Sequence, residues 1–248
     1  GLNNEALVSA DKALSVIMPF DNDGKYLALN SKALALANLS EAGSLDEAQK
    51  TKLRNEAIEN FTLALKIKTD PQSLFFRARL LMKVKRYDEA LQECEKINAL
   101  TKDNEKNYVL MGEIYADMKN HKQAIDAYST ALKINSKNTE ALIYRSYEYL
   151  HESNHEAMIN DMLDAFIYGA REKVLRDLTY LQGQERIAKA LYEGLDKRIK
   201  NEPNEYVWNR LAAVLNKQRS NFVDAIRYYR YDIDKPSRAV SSTLMADC

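Results

Sequence analysis

Five consecutive residues follow the H-E-x-x-H pattern of zinc-dependent hydrolysis: His151, Glu152, Ser153, Asn154 and His155. In that chemistry both histidines bind the metal from one face of a continuous helix, and the glutamate acts as general base on a zinc-bound water. The motif can work only if a single helix runs through all five residues. The elements that position them therefore decide whether the chemistry is available.

Other residues that could do chemistry lack a suitable context. The sequence contains no glycine-rich phosphate loop and no serine or cysteine in a recognisable nucleophile motif. The two cysteines, Cys94 and Cys248, do not make a disulfide framework, and we interpret Cys94 as a buried apolar residue. We therefore expect no enzymatic activity, no metal site and no cofactor.

The composition argues against two further classes of function. Lys plus Arg and Asp plus Glu each number 36, without a long run of one sign. This balance argues against binding to a nucleic-acid backbone, which needs a basic face, and leaves only a small local basic patch open. No run of about 18 apolar residues is present, so we expect no membrane insertion. The low content of helix-breaking residues, 7 Gly and 4 Pro, suits an all-helical chain.

Residues 105–138 contain two apolar stripes at helical spacing, separated by a polar break at Asn120-His121. The stripes consist of Tyr108, Met111, Gly112 and Tyr115, and then of Ala124, Tyr128 and Ala131. Two helices that are each apolar on one face must pack on each other to hide those faces. Because glycine inside a helix costs about 1 kcal/mol relative to alanine, we predict that the facing helix lies too close to Gly112 for a side chain.

The same unit recurs along the chain. Residues equivalent to Ala124 occur at spacings of 33 or 34 residues, at Ala57, Ala90 and Met158. A period of this length with small residues at fixed offsets indicates stacked helix-turn-helix repeats. At these positions the chain resembles the tetratricopeptide repeat (TPR) family, whose pattern is aromatic, Leu, Gly and Tyr in the first helix and Ala, Phe and Ala in the second. The resemblance implies an all-α fold, a right-handed α-solenoid of stacked antiparallel helix pairs (a TPR-like superhelix) with about five to six repeats.

The repeat register also bears on the histidine motif. His155 aligns with His121, and Asn154 aligns with Asn120, at the break between the two helices of the best-formed repeat. We therefore predict that residues 151–155 form a polar turn between two helices and do not bind zinc.

We predict a single solenoid over residues 1–234 and a C-terminal tail at 235–248. The divisions of the solenoid are a half repeat at 3–20, a divergent repeat at 24–70, regular repeats at 71–104, 105–138 and 139–171, and divergent repeats at 172–204 and 205–234. The first helix corresponds to the second half of a repeat, and the chain begins with Gly1. We therefore expect a trimmed N-terminus, with Gly1 as a cleavage scar.

The repeat at 24–70 is longer than the others. Tyr26 and Ala57 lie 31 residues apart where the regular spacing is 16, which indicates an insertion of about 15 residues around 40–55. We predict helices at 4–17, 25–39 and 45–68, with an N-cap at Ser44 and Glu47 three residues on. The insertion is either a feature that a partner recognises or simply a longer helix.

In stacked helical hairpins the first helices line the concave surface. The first-helix positions that we expect packing to leave free are Gln72, Phe75, Arg79, Val109, Glu113, Ala116, Ile143, Tyr147, Asn209 and Ala213. Their mixture of aromatic and isolated charged side chains suits an extended or helical peptide. For Phe75 and Ile143, packing between repeats is the alternative interpretation. Tyrosines outside the repeat pattern, namely Tyr144, Tyr147 and Tyr231, also favour an interface.

The leading hypothesis is a noncatalytic scaffold or adaptor that binds a peptide or partner protein in the concave groove. The alternative is a cell-envelope component that binds a small molecule or a carbohydrate. Self-association through the tail at 235–248 or through the insertion is a further hypothesis. The trimmed N-terminus favours a bacterial periplasm or secretion over the cytoplasm, and the sequence does not determine the compartment itself.

Overall fold

The structure is a computed structural model that describes residues 2–201, 206–221, 224–225 and 227–228. All regular secondary structure in these residues is α-helical, which confirms the predicted fold class. The helices are α1 (Leu2–Val16), α2 (Asn22–Leu39), α3 (Glu47–Ile67), α4 (Pro71–Lys83), α5 (Tyr87–Leu100), α6 (Glu105–Asp117), α7 (His121–Ile134), α8 (Thr139–His151), α9 (His155–Ile167), α10 (Arg171–Leu181), α11 (Glu185–Asn201) and α12 (Tyr206–Gln218). The tail at 235–248 and Tyr231 lie outside the described residues.

The chain divides into two compact units, Gly1–Ser136 and Lys137–Cys248. In unit 1, α2 pairs with α3, α4 with α5 and α6 with α7, and the first helices of successive pairs also meet, α2 against α4 and α4 against α6. In unit 2, α8 pairs with α9, and α9 packs against both α10 and α11. The helix pairs α4–α5, α6–α7 and α8–α9 fall within the three regular repeats, while the division of 1–234 as a single solenoid stays a prediction.

Side-chain caps and turn residues fix where the helices of the regular repeats begin and end. Asp70 caps α4, its Oδ1 accepting a hydrogen bond from the backbone N–H of Ser73 at 2.9 Å, and Pro71 occupies the first turn. Asn104, Asn138 and Asn154 cap α6, α8 and α9 in the same way. Gly169 follows α9 with a φ of +121°, a backbone conformation that glycine adopts readily and other residues rarely do.

The core consists of the residues that recur with the repeat period. Ala57, Ala90, Ala124 and Met158 are all fully buried, and so is Cys94. Burial, followed by the neighbouring charges of Glu93 and Glu95, raises the pKa of the Cys94 thiol to about 12. This cysteine is therefore a core residue, as predicted.

The N-cap predicted at Ser44 is wrong, because α3 begins two residues later. Asp46 caps the helix: its Oδ1 accepts a hydrogen bond from the Gln49 N–H at 2.8 Å, and the Gln49 Oε1 accepts one from the Asp46 N–H at 3.0 Å. This reciprocal pair is a complete capping box, and it satisfies two backbone donors at the start of α3.

The insertion lengthens both helices of the first complete pair. The reference is the regular pair α4–α5. Counted from the first residue of its apolar stripe, α2 is four residues longer than α4, and the turn after it is four residues longer than the turn after α4. Counted back from its buried alanine, α3 starts seven residues earlier than α5. Together these account for the 15 residues expected from the spacing. We call residues 36–53 the hairpin extension.

Candidate functional site

The structure separates the two histidines of the H-E-x-x-H motif. His151 is the last residue of α8 and His155 is the first residue of α9, with Glu152, Ser153 and Asn154 in the turn between them. Ser153 has a φ of +57°, which is incompatible with a continuous helix. The predicted polar turn is confirmed, and the geometry required for hydrolysis at zinc is not present at these residues.

The described residues contain neither a cluster of metal ligands nor a helix that could span a membrane. No group of three or more His, Cys, Asp or Glu side chains in them could hold a metal ion. No helix in the described part of the chain is both long enough and apolar enough to cross a bilayer.

The clearest accessible surface lies on α4. Gln72 and Arg79 are exposed and Phe75 is half-buried, whereas Leu74 and Ala78 on the opposite side are 2% and 0% exposed. The α4 helix is therefore apolar towards the core and mixed towards its other face.

The Phe75 side chain packs against the core and is also partly accessible. Its ring meets Phe76 edge to face, with the two centroids 6.2 Å apart, and it packs against the buried core cluster of unit 1. This contact agrees with the alternative interpretation of Phe75 as a packing residue. Its half-buried state leaves part of the ring available to a partner.

On α6, Glu113 and Ala116 are half-buried. The helices α4 and α6 are in contact, so we group their accessible predicted positions as one candidate surface of unit 1. We call Gln72, Phe75, Arg79, Glu113 and Ala116 the first-helix surface. Binding by these residues stays a prediction.

Four of the predicted contact residues are not left free by packing. Val109 and Ile143 are each 5% exposed, Asn209 is 3% exposed and Ala213 is 0% exposed. The expectation that packing leaves these four positions free is wrong, because each of them is buried. The reason is physical: helical spacing determines the direction of a side chain, whereas its accessibility depends on how closely a neighbouring element approaches.

Tyr147 in unit 2 is half-buried and already engaged. Its hydroxyl donates a hydrogen bond to the Asp177 Oδ2 at 2.6 Å, and the Lys173 ammonium lies 5.2 Å from the ring centroid. Burial, and then the hydrogen bond to the Asp177 carboxylate, raise the pKa of Tyr147 well above its ordinary value. This tyrosine therefore joins α8 to α10, and a partner would have to compete with Asp177 for its hydroxyl.

Unit 1 also contains a cleft that the sequence did not reveal. Its volume is about 170 Å³, and it lies between the hairpin extension and α4. The residues that line it are Ala37, Asn38, Glu41, Phe76, Arg79, Leu80 and Lys83. We call it the extension cleft. The two signals available in the sequence were the 15-residue insertion and the cation at Arg79, but nothing in the repeat pattern placed them side by side.

The charges around the extension cleft are unequally compensated. The Glu41 Oε1 lies 2.7 Å from the Lys83 Nζ and 3.7 Å from the Arg54 Nη2. The hydrogen bond from Lys83 lowers the pKa of Glu41 and outweighs the opposing effect of burial. Arg79 is exposed and makes no hydrogen bond or ion pair with any described residue. The carboxylate in the cleft is therefore paired, and one guanidinium is not.

A second cleft of about 320 Å³ lies within unit 2. It is lined by Phe166, Ile167, Leu175, Val207, Leu211 and Val214, together with Arg171 and Arg210. The lining is mostly apolar with two guanidinium groups, the composition that an amphipathic small molecule would need.

Comparison with known proteins agrees with the repeat architecture. Residues 50–131 match the family model described as anaphase-promoting complex, cyclosome, subunit 3. A search of curated proteins found no match.

Several solved structures share the fold. MamA residues 41–end from Desulfovibrio magneticus RS-1 is 19% identical with a TM-score of 0.57, and the match covers 69% of this chain and 88% of that chain. A double mutant of MamA RS-1 is 18% identical with a TM-score of 0.56, covering 68% of this chain and 86% of that one. The Cut9–Hcn1 hetero-tetramer of APC/C is 12% identical with a TM-score of 0.56, covering 98% of this chain and 46% of that one. At these identities the likeness concerns the fold alone, and it confirms the resemblance to TPR solenoids.

Proposed function

We propose that this tetratricopeptide-repeat solenoid is a noncatalytic scaffold that binds a peptide or a partner protein through the first-helix surface of unit 1. The proposal rests on one observation: Gln72, Phe75 and Arg79 stay accessible on α4 although the opposite side of that helix is buried in the core. An aromatic side chain flanked by polar ones, held on a packed helix, is typical of a protein interface.

The mechanism is preorganisation. The N-terminus of α4 is tied to α2, because Tyr26 donates a hydrogen bond to the Asp70 Oδ2 at 2.7 Å and Ser73 donates one to the Asn30 Oδ1 at 2.8 Å. A helix anchored in this way loses little conformational freedom when a partner binds, so more of the interaction free energy appears as affinity.

The comparisons support a scaffold at a general level. The matching family model describes a subunit of the anaphase-promoting complex, and the Cut9–Hcn1 structure is a hetero-tetramer. Both descriptions are of proteins that assemble with others. We carry over only the class of function, an interaction with another protein, and not the partner.

The test is affinity capture from the source organism, followed by binding measurements with the purified candidate partner. The variants are Phe75→Ala and Ala116→Arg, which respectively remove an aromatic contact and add bulk on the same surface. Tyr180→Ala is the matched control, because Tyr180 is an aromatic residue in unit 2 that is 82% exposed. We expect both surface variants to weaken binding at least tenfold and the control to bind like the unmodified chain.

Phe75→Ala also removes a core contact, so its thermal midpoint must be measured beside its affinity. Ala116→Arg adds a side chain at a half-buried position without taking away a core aromatic, so it tests the surface independently. A partner that binds both variants and the control equally well would contradict the proposal.

Small-molecule binding is the second candidate function, because the cleft in unit 2 is of suitable size. Its volume of about 320 Å³ is at the lower end of the range of about 300–1,000 Å³ that is usual for ligand sites. A thermal-shift screen with amphipathic carboxylates and with oligosaccharides tests it. We expect a true ligand to raise the thermal midpoint of the unmodified chain and to have no effect on Leu175→Trp, which would fill the cleft.

A further inference from the structure

We propose that the extension cleft is a docking site for an acidic side chain within a partner peptide, with an apolar residue next to it in the peptide. This inference rests on the proposed scaffold function and specifies the chemistry of one contact. It concerns a segment inside the peptide and does not require a free C-terminal carboxylate.

The cleft exists because of the insertion. Ala37, Asn38 and Glu41 all belong to the hairpin extension, and they form one wall. The other wall is a regular part of α4, with Arg79 and Lys83 one helical turn apart on the same face. A repeat of ordinary length would have only the second wall, so the insertion is what turns an open helix face into a cleft.

The size of the cleft favours a peptide side chain over a small molecule. Its volume of about 170 Å³ is below the range of about 300–1,000 Å³ in which ligand sites usually fall. Space of this order accommodates one or two side chains of a peptide whose backbone stays outside. The extension cleft is thus better suited to an anchor residue than to a whole ligand.

The charges around the cleft indicate that the anchor residue of the peptide is negatively charged. Glu41 is neutralised by Lys83 and by Arg54, so it does not offer its charge to a partner. Arg79 has no partner among the described residues, and it lines the same cleft. A planar guanidinium with open donors binds a carboxylate through two parallel hydrogen bonds. An acidic residue complements this cleft, and a basic one would meet an uncompensated cation.

The other residues that line the cleft are the reason to expect an apolar residue beside the acidic one in the peptide. Phe76 is held in place by stacking on Phe61, with the two ring centroids 6.3 Å apart and the planes inclined by 14°. With Ala37 and Leu80, the Phe76 ring makes a fixed apolar wall beside the guanidinium of Arg79. An apolar side chain against this wall would exclude water from the ion pair, which strengthens a charged hydrogen bond.

The experiment uses an array of capped hexapeptides, acetylated and amidated at their ends, in which each sequence with Glu is paired with its Gln counterpart and its Lys counterpart. The full chain is the probe. Among retained peptides we expect about a five- to tenfold preference for Glu over Gln when an apolar residue adjoins it, as an ion pair that is partly shielded from water would provide.

Two variants and one control decide where that preference originates. Arg79→Gln should abolish the preference for Glu, and Ala37→Leu, which narrows the cleft, should weaken retention of all preferred peptides. Arg176→Gln is the matched control, because Arg176 is an exposed arginine in unit 2 without a partner in the described residues. It should leave the preference intact.

Three outcomes of the peptide array would overturn the inference: no peptide is retained, Gln and Lys peptides are retained as well as Glu peptides, or the preference for Glu survives in Arg79→Gln. The proposed scaffold function fails on different evidence, namely a partner that is insensitive to Phe75→Ala and Ala116→Arg. If Phe75→Ala and Ala116→Arg abolish binding of the partner and Arg79→Gln leaves that binding unchanged, the scaffold function stands and the docking site in the extension cleft is ruled out.

Discussion

The ring of Tyr128 on α7 lies directly against Gly112 on α6. A Cβ added at Gly112 would come within 3.0 Å of three atoms of that ring, closer than real Cβ contacts allow. Tyr128 itself is 1% exposed, so the ring has no open side to move into. The prediction that the facing helix approaches too closely for a side chain at Gly112 is confirmed, and Tyr128 is the reason.

Replacing Gly112 should therefore destabilise the chain through this one ring. We expect Gly112→Ala and Gly112→Leu to cost about 1–3 kcal/mol by overpacking. In a Tyr128→Ala background the ring is gone, and Gly112→Ala should become neutral or stabilising by up to about 1 kcal/mol, since alanine is the better helix former. Urea unfolding of the four chains in this double-mutant cycle measures the coupling. Equal costs in both backgrounds would mean that a different neighbour sets the limit.

The buried ion pair between Arg145 and Asp161 gives a second prediction. The Arg145 Nε and Nη2 each lie 2.7 Å from a different oxygen of Asp161, which is 5% exposed. Arg145→Met leaves that carboxylate buried without its partner, which should cost about 3–5 kcal/mol. The free energy of unfolding from urea titration measures the effect. A loss below about 1 kcal/mol would show that water or another group replaces the guanidinium.

The neighbouring repeat shows how the loss could be repaired. Met111 and Ala127 occupy the positions equivalent to Arg145 and Asp161, one repeat of 34 residues earlier. The double variant Arg145→Met, Asp161→Ala reproduces that apolar arrangement and removes the stranded charge. We expect it to recover most of the stability lost in Arg145→Met alone. If the double variant is less stable than Arg145→Met, the ion pair contributes more to the free energy of unfolding than is needed to offset the cost of burying its two charges.

Arg54 provides a contrast, because its partners are exposed to water. It is 8% exposed, and its Nε has no hydrogen-bond partner among the described residues. Its acidic partners Glu41 and Glu47 have side chains that are 51% and 73% exposed, so water can solvate them when the guanidinium is removed. We expect Arg54→Met to change the free energy of unfolding by no more than about 1 kcal/mol. A loss as large as that of Arg145→Met would contradict this account.

Asp70 should make the stability of unit 1 sensitive to acid. Burial acts to raise the pKa of this carboxyl, but hydrogen bonds from Ser73 and Tyr26 outweigh it and hold the pKa below its ordinary value. A lowered folded-state pKa stabilises the fold above the unfolded pKa of about 4, and that stabilisation is lost as the pH falls through the lower folded value.

The comparison variant is Asp70→Asn, which retains a side-chain oxygen for the N-cap but has no charge to titrate. We expect the unmodified chain to be the more stable at pH 7 and the difference to shrink as the pH falls below about 4. Urea titrations at several pH values measure it. A difference that is constant with pH would show that the carboxylate charge does not contribute.

The repeat architecture could be predicted from the sequence because it depends on local spacing. The period of Ala57, Ala90 and Ala124, the close approach at Gly112 and the turn at residues 151–155 all follow from which residues share a helix face. The length of the insertion could also be predicted from the sequence, since it is the difference between the Tyr26–Ala57 spacing and the regular spacing. Local spacing placed the cap of α3 two residues too early, because several residues around Ser44 can accept a backbone hydrogen bond and the choice depends on which pair closes a complete box.

Accessibility and the candidate site were decided by the tertiary structure. Val109 and Gln72 are both predicted contact positions on first helices, yet the first is buried and the second is exposed. The extension cleft combines residues from α2 and α4 that are about 40 residues apart in the chain. The sequence by itself determined which residues form helices and which faces pair, because those depend on near neighbours. Which side chains remain open to a partner depends on how closely non-local elements approach, and only the folded chain determines that distance.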